Sequence, residues 1–372
     1  MVIYLETIGI ICEYNPFHNG HIHHIEEIKK RYPDSIIILA LNGYFLERGE
    51  ISIISKEDKA KIALEYNIDI VIDVPVLYGT QSADNFAYAA VFLLNKLNVN
   101  RIIFGSETND IEKIISIAKE SNTNRYAREI KDLLETGLNY PTALAKSLKT
   151  DFSFMPNDLL GISYTKAILK VNKKIIPETI QRTNNYLDIS SNDDIISASN
   201  IRNKIKNKES IRKYLPKKSL EKIIKIDYNK YFDLLKTIII RSDDLNTILD
   251  VDEGIENRIK EMAIKAKNID ELVTKIKTRR YTYNKINRML IHILLGIKKK
   301  DAKTPITYLH IIGINKKGRD YLKNIRKNID IAYNVDKQSK IFEYELKAAY
   351  IYDIISGQEC AKKELSNKPV IY

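Results

Sequence analysis

His18 and His21 stand three residues apart across Asn19-Gly20, just behind a short β-prone run from Ile8 to Cys12. Imidazoles at that spacing can aim at one point, and Gly20 lacks the Cβ that would keep a phosphate from the backbone. The loop is punctuated by Pro16 and Gly20, and a polar helix-like segment runs from His21 to about Arg31. A helix N-terminus offers unpaired N–H groups and a positive dipole end, and α/β sheets bind ligands where their strands end. Such a junction can stabilise negative charge on a phosphoryl group. Two solvated loop histidines beside a turn would also fit the bare spacing. The strand, proline, glycine and helix around them favour the site.

Further candidates lie along the chain. A strand from Lys174 to Gln181 delivers Arg182, and Ile196-Ser-Ala-Ser-Asn-Ile-Arg202 opens another helix. Ser197 can cap that helix, leaving Ser199 and free N–H groups for an anion, with Arg202 on the first turn. Capping alone also accounts for Ser197. Arg48, in Asn42-Gly-Tyr-Phe-Leu-Glu-Arg-Gly-Glu50, could grip a phosphate or carboxylate bidentately, and could equally pair with Glu47 or Glu50 at the surface. Gly105 permits close approach of a base or ribose, or only turns the chain. Asn157, in Pro-Asn-Asp-Leu-Leu-Gly161, would by itself be a helix cap.

These residues must be held by regular elements. Buried-type strands are expected at 8–12, 35–41, 69–75, 101–104 and 174–181, with amphipathic helices at 55–67 and 82–97 between them. That alternation predicts a Rossmann-like α/β fold with a mostly parallel sheet and right-handed crossovers. Residues 109–150 read as surface helices. From residue 208 the pattern becomes mainly helical. Two domains are expected: 1–207, carrying the site, and 208–372, mainly helical.

The net charge is +12 over 372 residues, and it is unevenly placed. Residues 1–207 hold 24 Lys+Arg against 26 Asp+Glu, whereas residues 208–372 hold 36 against 22. A basic surface confined to one domain is a footprint for a polyanion. Within it, residues 275–327 carry 16 basic side chains and two acidic ones. Lys275, Lys277, Arg279, Arg280, Lys285 and Arg288 interleave there with Tyr281, Tyr283 and Tyr308, cations for phosphates and rings for unpaired bases. Cys12 and Cys360 lack disulfide or zinc spacing and read as core thiols. No apolar run is long enough for a membrane span and Met1 leads into a strand, so a cytoplasmic protein is expected.

The HxGH form resembles the signature of the nucleotidyltransferase superfamily, which includes the class I aminoacyl-tRNA synthetases. The longer GIICEYNPFHNGH, with PNDLLG at 156–161 and QSADNF at 81–86, resembles the bacterial tRNA(Met) cytidine acetate ligases. The resemblance covers almost the whole chain, weakest at 109–150 and after about 330. It departs at Asn42, Tyr44 and Glu47, where the family pattern SGNFVQRGEP has Ser, Asn and Gln. The 196–202 segment resembles the superfamily's second, SxSxxR-type signature.

The resemblance implies an enzyme that adenylates acetate with ATP and passes the acetyl group to N4 of the wobble cytidine of elongator tRNA(Met). It implies phosphate stabilisation and catalysis by His18, His21 and Arg202. Nucleotide contacts are implied for Gly9, Ile10, Ile11, Glu13, Tyr14, Asn15, Pro16, Phe17, Asn19 and Gly20, and for Gly105, Asn157, Arg182, Ser197 and Ser199. Mg²⁺ is expected with ATP, with no ligand identifiable. Lys275, Lys277, Arg279, Arg280 and Tyr281 are expected on the tRNA, and no membrane or obligate protein partner is inferred. An adenylyltransferase for a small cofactor, or a non-catalytic RNA-binding module, would share parts of this pattern.

Overall fold

The continuously apolar runs become the middle of a sheet, as strands covered by helices on both faces must. The computed structural model describes residues 6–136, 138, 140–148, 154–182 and 194–372. Strands β1 (Thr7–Cys12), β2 (Ile36–Asn42), β3 (Ile70–Val74), β4 (Arg101–Ser106) and β5 (Ile176–Gln181) are mutually parallel and lie in the order β5-β4-β1-β2-β3. Chain order reverses between β1 and β4. A crevice opens outside the carboxyl ends of the strands at such a reversal.

Local chemistry sets the helices between them. Ser55 accepts from the Asp58 N–H at 3.1 Å and starts helix Lys56–Glu65. Pro156 sits at the first turn of helix Pro156–Val171, which lies so close to β4 that a Cβ on Gly161 would fall 2.4 Å from Phe104 Cε2. In the adjoining helix Ala83–Lys96, Leu94 Cδ1 lies 2.8 Å from where a Cβ on Gly9 would be. Gly9 therefore serves helix-on-strand packing.

The second half is mainly helical, as expected, but it also completes the sheet. β6 (Ile311–Ile314) pairs antiparallel with β3, and β7 (Val370–Ile371) pairs parallel with β6. Four apolar residues, IIGI, are too short a run to be told from a helix fragment by periodicity. A buried ionic cluster ties the two halves further. Lys56 Nζ lies 2.6 Å from Asp73, 2.5 Å from Glu364 and 3.3 Å from Glu345, and His310 Nδ1 lies 3.2 Å from Asp73. Burial and the neighbouring carboxylates push Glu345 up to about 8, while Lys56 opposes that rise. No described helix is long and apolar enough to cross a membrane.

Candidate active site

The loop after β1 is built by its own backbone and two rings. Tyr14 takes a left-handed conformation, φ +47°, and the Asn15–Pro16 bond is cis. Tyr14 is buried with its ring 4.8 Å from Phe17 and 4.6 Å from His21, so packing holds a backbone state that a bulky residue seldom adopts. Helix Asn19–Arg31 then starts with a cap made by histidines. His18 Nδ1 accepts from the Gly20 N–H at 3.0 Å, and His21 Nδ1 accepts from the His18 N–H at 3.1 Å.

That cap decides what the rings can do. With both Nδ1 atoms accepting from the backbone, the proton of each neutral imidazole sits on Nε2. Burial, then Arg182 and Arg202, pull the His18 pKa down to about 3, and burial and His18 hold His21 well below the usual histidine range. Two neutral N–H donors, with ring centroids 3.8 Å apart, therefore sit at the mouth of β1.

The rest of the crevice closes around them. Ile11, Glu13, Tyr14, Asn15, His18, Gly20, His21, Gly105, Asn157, Arg182, Ser197, Ser199 and Arg202 all line one cleft of about 1400 Å³, a volume that includes solvent at its opening. Gly9, Ile10, Pro16, Phe17 and Asn19 are not among its lining residues. Ile10 and Phe17 are core residues, and Asn19 Nδ2 spends its hydrogens on the carbonyls of Asp194, at 2.8 Å, and Lys213, at 2.9 Å.

Each remaining candidate has a structural holder. Ser197 caps helix Ala198–Lys206, accepting from the Asn200 N–H at 3.2 Å. Arg202, one turn in, donates to the Asn15 carbonyl at 2.7 Å and to both oxygens of Glu50 at 2.6 Å. Arg182 lies beside Gly105, its Cγ 3.5 Å from where a Cβ would be. Asn157 is gripped by Glu107, whose carboxylate accepts from the N–H groups of Asn157 and Asp158, each at 3.1 Å, at the start of helix Pro156–Val171. Asp158 returns the grip by accepting from the N–H groups of Glu107 at 3.2 Å and Thr108 at 3.3 Å. A mutual clamp thus fixes β4's end to that helix.

On the β2 side, Glu13 accepts from the Glu47 N–H at 2.8 Å and from Asn42 Nδ2 at 3.2 Å. Lys59, fully buried, donates to the carbonyls of Asn42 at 2.6 Å, Gly43 at 2.7 Å and Glu13 at 2.9 Å, pinning the ends of β1 and β2 together. Asn42, Tyr44 and Glu47 all have structural partners. Tyr44 donates to Glu364 at 2.7 Å, and Glu47 faces Arg288 at 3.5 Å and lines the cleft beside Arg48. Gly49, φ +71°, touches helix Tyr283–Leu295, since a Cβ there would meet the Asn287 backbone at 2.3 Å. Burial pushes the Cys12 thiol up to about 12, which makes it a neutral wall.

Several lining residues lay outside the sequence-based set: His23, His24, Glu50, Phe86, Leu160 and Tyr164. His24 had a readable signal, three residues after His21 on the same helix. Two buried nitrogens in the cleft, the Asn15 Nδ2 donor and His24 Nε2, have no hydrogen-bond partner among the described residues. An orphaned buried donor is costly unless a ligand satisfies it. Together with neutral imidazoles, guanidinium groups and the switch point, they fit a polyanionic nucleotide.

The basic segment is less uniform than its composition implies. Arg279 and Arg280 are exposed and Lys275 and Lys277 half-buried, and Lys275 and Arg280 pair with Glu271 and Glu253. Tyr281 and Tyr308 are buried, so neither offers a face for a base to stack on. Tyr281 instead donates towards the Asp252 carbonyl and Glu253, each at 3.2 Å, while Tyr283 is exposed.

Residues 5–367 match the model of the family described as HIGH Nucleotidyl Transferase. The tRNA(Met) cytidine acetate ligase of Geobacillus sp. (strain WCH70) is 35% identical, with 99% of this chain and 100% of that protein aligned. That of Clostridium perfringens (strain ATCC 13124) is 36% identical at the same coverage. A crystal structure of Thermotoga maritima TmcAL bound with alpha-thio ATP superposes with a TM-score of 0.86 at 27% identity, covering 99% of both chains. The chain belongs to the HIGH nucleotidyl transferase family and, within it, to the tRNA(Met) cytidine acetate ligases.

Proposed function

We propose that this chain uses ATP to activate acetate as acetyl-adenylate and transfers the acetyl group to N4 of the wobble cytidine of elongator tRNA(Met). The observation that carries the reading is the convergence of His18, His21, Arg182 and Arg202 at the reversal point of the sheet, beside a buried donor on Asn15 that awaits an acceptor. In the first step a carboxylate oxygen of acetate attacks the α-phosphorus and the bond to pyrophosphate breaks. In the second the cytidine amine attacks the acetyl carbon, AMP leaves and the amine loses a proton.

Acetate is a weak nucleophile, so alignment and charge stabilisation must supply the acceleration. The Nε2–H groups of His18 and His21 donate to the phosphoryl oxygens, with Arg182 and Arg202 opposing the growing negative charge. Gly105 and Asn157 seat the nucleoside, and Ser197 and Ser199 present the start of helix Ala198–Lys206. Mg²⁺ enters with ATP. When bound it would be carried mainly by phosphate oxygens and water.

Residues 1–207 serve activation and residues 208–372 serve acceptor docking, through Lys275, Lys277, Arg279 and Arg280. Tyr281 supports the loop that displays them. The reading places the chain in the cytoplasm and requires no obligate protein partner. Acetate-dependent exchange of labelled pyrophosphate into ATP tests the activation half: exchange that needs acetate supports it, and exchange absent at every acetate concentration removes it.

A further inference from the structure

Asn157, Leu160 and Tyr164 follow one another at spacings of three and four on helix Pro156–Val171, so they share one face, and all three line the cleft. From Asn157 to Tyr164 that stripe runs about 10 Å along the helix axis, which sets the Tyr164 end apart from the nucleoside seat at Asn157. Tyr164 is only 5% exposed, its ring edge-on to Phe104 of β4 with centroids 5.7 Å apart. The residues around it lock the helix in place: Asp84, in the first turn of helix Ala83–Lys96, accepts from Ser163 Oγ at 2.8 Å and from Lys166 Nζ at 2.5 Å. Phe86 of that helix and Cys12 at the end of β1 also line the cleft, so the wall here is largely apolar. Its polar groups are few. Burial, then Cys12, Glu13 and Glu47, hold the Tyr164 hydroxyl well above the usual tyrosine range against the pull of Arg48, so it stays protonated and can donate. Arg48 lines the same cleft, and burial pushes the neighbouring Glu47 up to about 7, which withdraws part of its negative charge near neutral pH. A guanidinium and a phenol donor beside an apolar wall match a carboxylate with a short apolar tail.

We propose that Arg48 and the Tyr164 hydroxyl hold the carboxylate of acetate, and that Cys12, Phe86 and Leu160 enclose its methyl group and so select the acid. This rests on the acetate reading above and adds to it the residues that bind the acyl donor. Adenine is the other group that an aromatic wall could receive, and the test separates the two.

Acetate-dependent pyrophosphate exchange gives the KM for acetate, and calorimetry with a non-hydrolysable ATP analogue gives nucleotide affinity, in Tyr164→Phe, Arg48→Gln and Leu160→Ala. Loss of one hydrogen bond to a charged group predicts a KM for acetate raised roughly tenfold or more in Tyr164→Phe, with analogue affinity unchanged. Arg48→Gln should raise that KM at least as far. Leu160→Ala should improve exchange with propionate relative to acetate by roughly tenfold to a hundredfold, the usual response of an apolar pocket to one methylene. An unchanged KM for acetate in folded Tyr164→Phe or Arg48→Gln overturns the assignment. So does weaker analogue binding in Tyr164→Phe with the acetate KM intact, which would give the wall to adenine, and so does an unaltered propionate-to-acetate ratio in Leu160→Ala. Should Tyr164→Phe not fold, methyl-¹³C acetate is added to the wild-type protein with the ATP analogue; a nuclear Overhauser effect from the methyl group to the Tyr164 ring supports the subsite, and its absence from bound acetate refutes it. Wild-type protein with no exchange at any acetate concentration would instead remove the acetate reading, and the subsite with it.

Discussion

The Arg202 guanidinium donates to the Asn15 carbonyl at 2.7 Å, joining the helix after β5 to the loop after β1. Its other nitrogen holds Glu50 from the β2 side. One side chain thus ties together three segments of the cleft wall, and it does so with the fixed fork of a guanidinium.

Replacing that fork separates charge from geometry. Arg202→Lys keeps a cation but cannot span Asn15 and Glu50 together, so it should weaken ATP-analogue binding nearly as much as Arg202→Ala, about tenfold or more. Binding of tRNA should be untouched in both. Calorimetric titration decides it, and full affinity in Arg202→Lys would mean that charge alone matters there.

Removing either capping histidine should cost rate more than affinity. One donor lost at a developing phosphoryl charge is worth roughly 2.7–4 kcal/mol, or about a hundredfold to a thousandfold in rate. His18→Ala also loses the helix cap, about 1 kcal/mol of stability, so His18→Asn, which keeps a capping oxygen, is the cleaner comparison. Acetate-dependent pyrophosphate exchange in His18→Asn and His21→Ala should fall together; wild-type exchange in both would strip the rings of a catalytic role.

The depressed histidines give the ligand-free protein a definite response to acid. His18 is pulled down to about 3 and His24 to about 4, against an ordinary value of 6.5. Below pH 6.5 the unfolded chain binds protons that the native state refuses, so stability falls as pH falls, by up to about 1.4 kcal/mol per pH unit for each ring. Melting temperature measured from pH 7.5 to 5 should drop, and His18→Asn should flatten the slope. An unchanged slope in that variant would place the acid sensitivity elsewhere.

Much of this architecture was legible because it is local. Strands β1 to β4 announce themselves as mainly apolar runs, while β5, at the sheet edge, is the more polar Ile-Pro-Glu-Thr-Ile-Gln; the cap at Ser197 and the histidine loop are written within a few residues. Long-range pairing is not. Glu50 meets Arg202, and Glu107 meets Asn157, only once the sheet has formed. β6 is four residues long and joins the sheet from the far half of the chain. Tyr281 and Tyr308 looked available for stacking, since the spacing of tyrosines among lysines does not reveal which rings are buried.

The corrected surface still predicts a salt effect. Neutralising Lys275, Lys277, Arg279 and Arg280 together should weaken tRNA binding and flatten its salt dependence, each lost phosphate contact removing roughly 0.7–0.9 from the log–log slope. Pyrophosphate exchange should persist, because these residues do not line the nucleotide cleft. Filter binding across a salt series measures it, and an unaltered slope would take the four residues off the interface.

Incubation with ATP, labelled acetate and total tRNA, followed by nucleoside analysis of the recovered tRNA, puts activation and transfer to one trial. Label in N4-acetylcytidine, confined to elongator tRNA(Met) and dependent on ATP, is the expected result. Acetate-dependent pyrophosphate exchange with no labelled nucleoside in any tRNA would contradict it and point to a small-molecule acceptor.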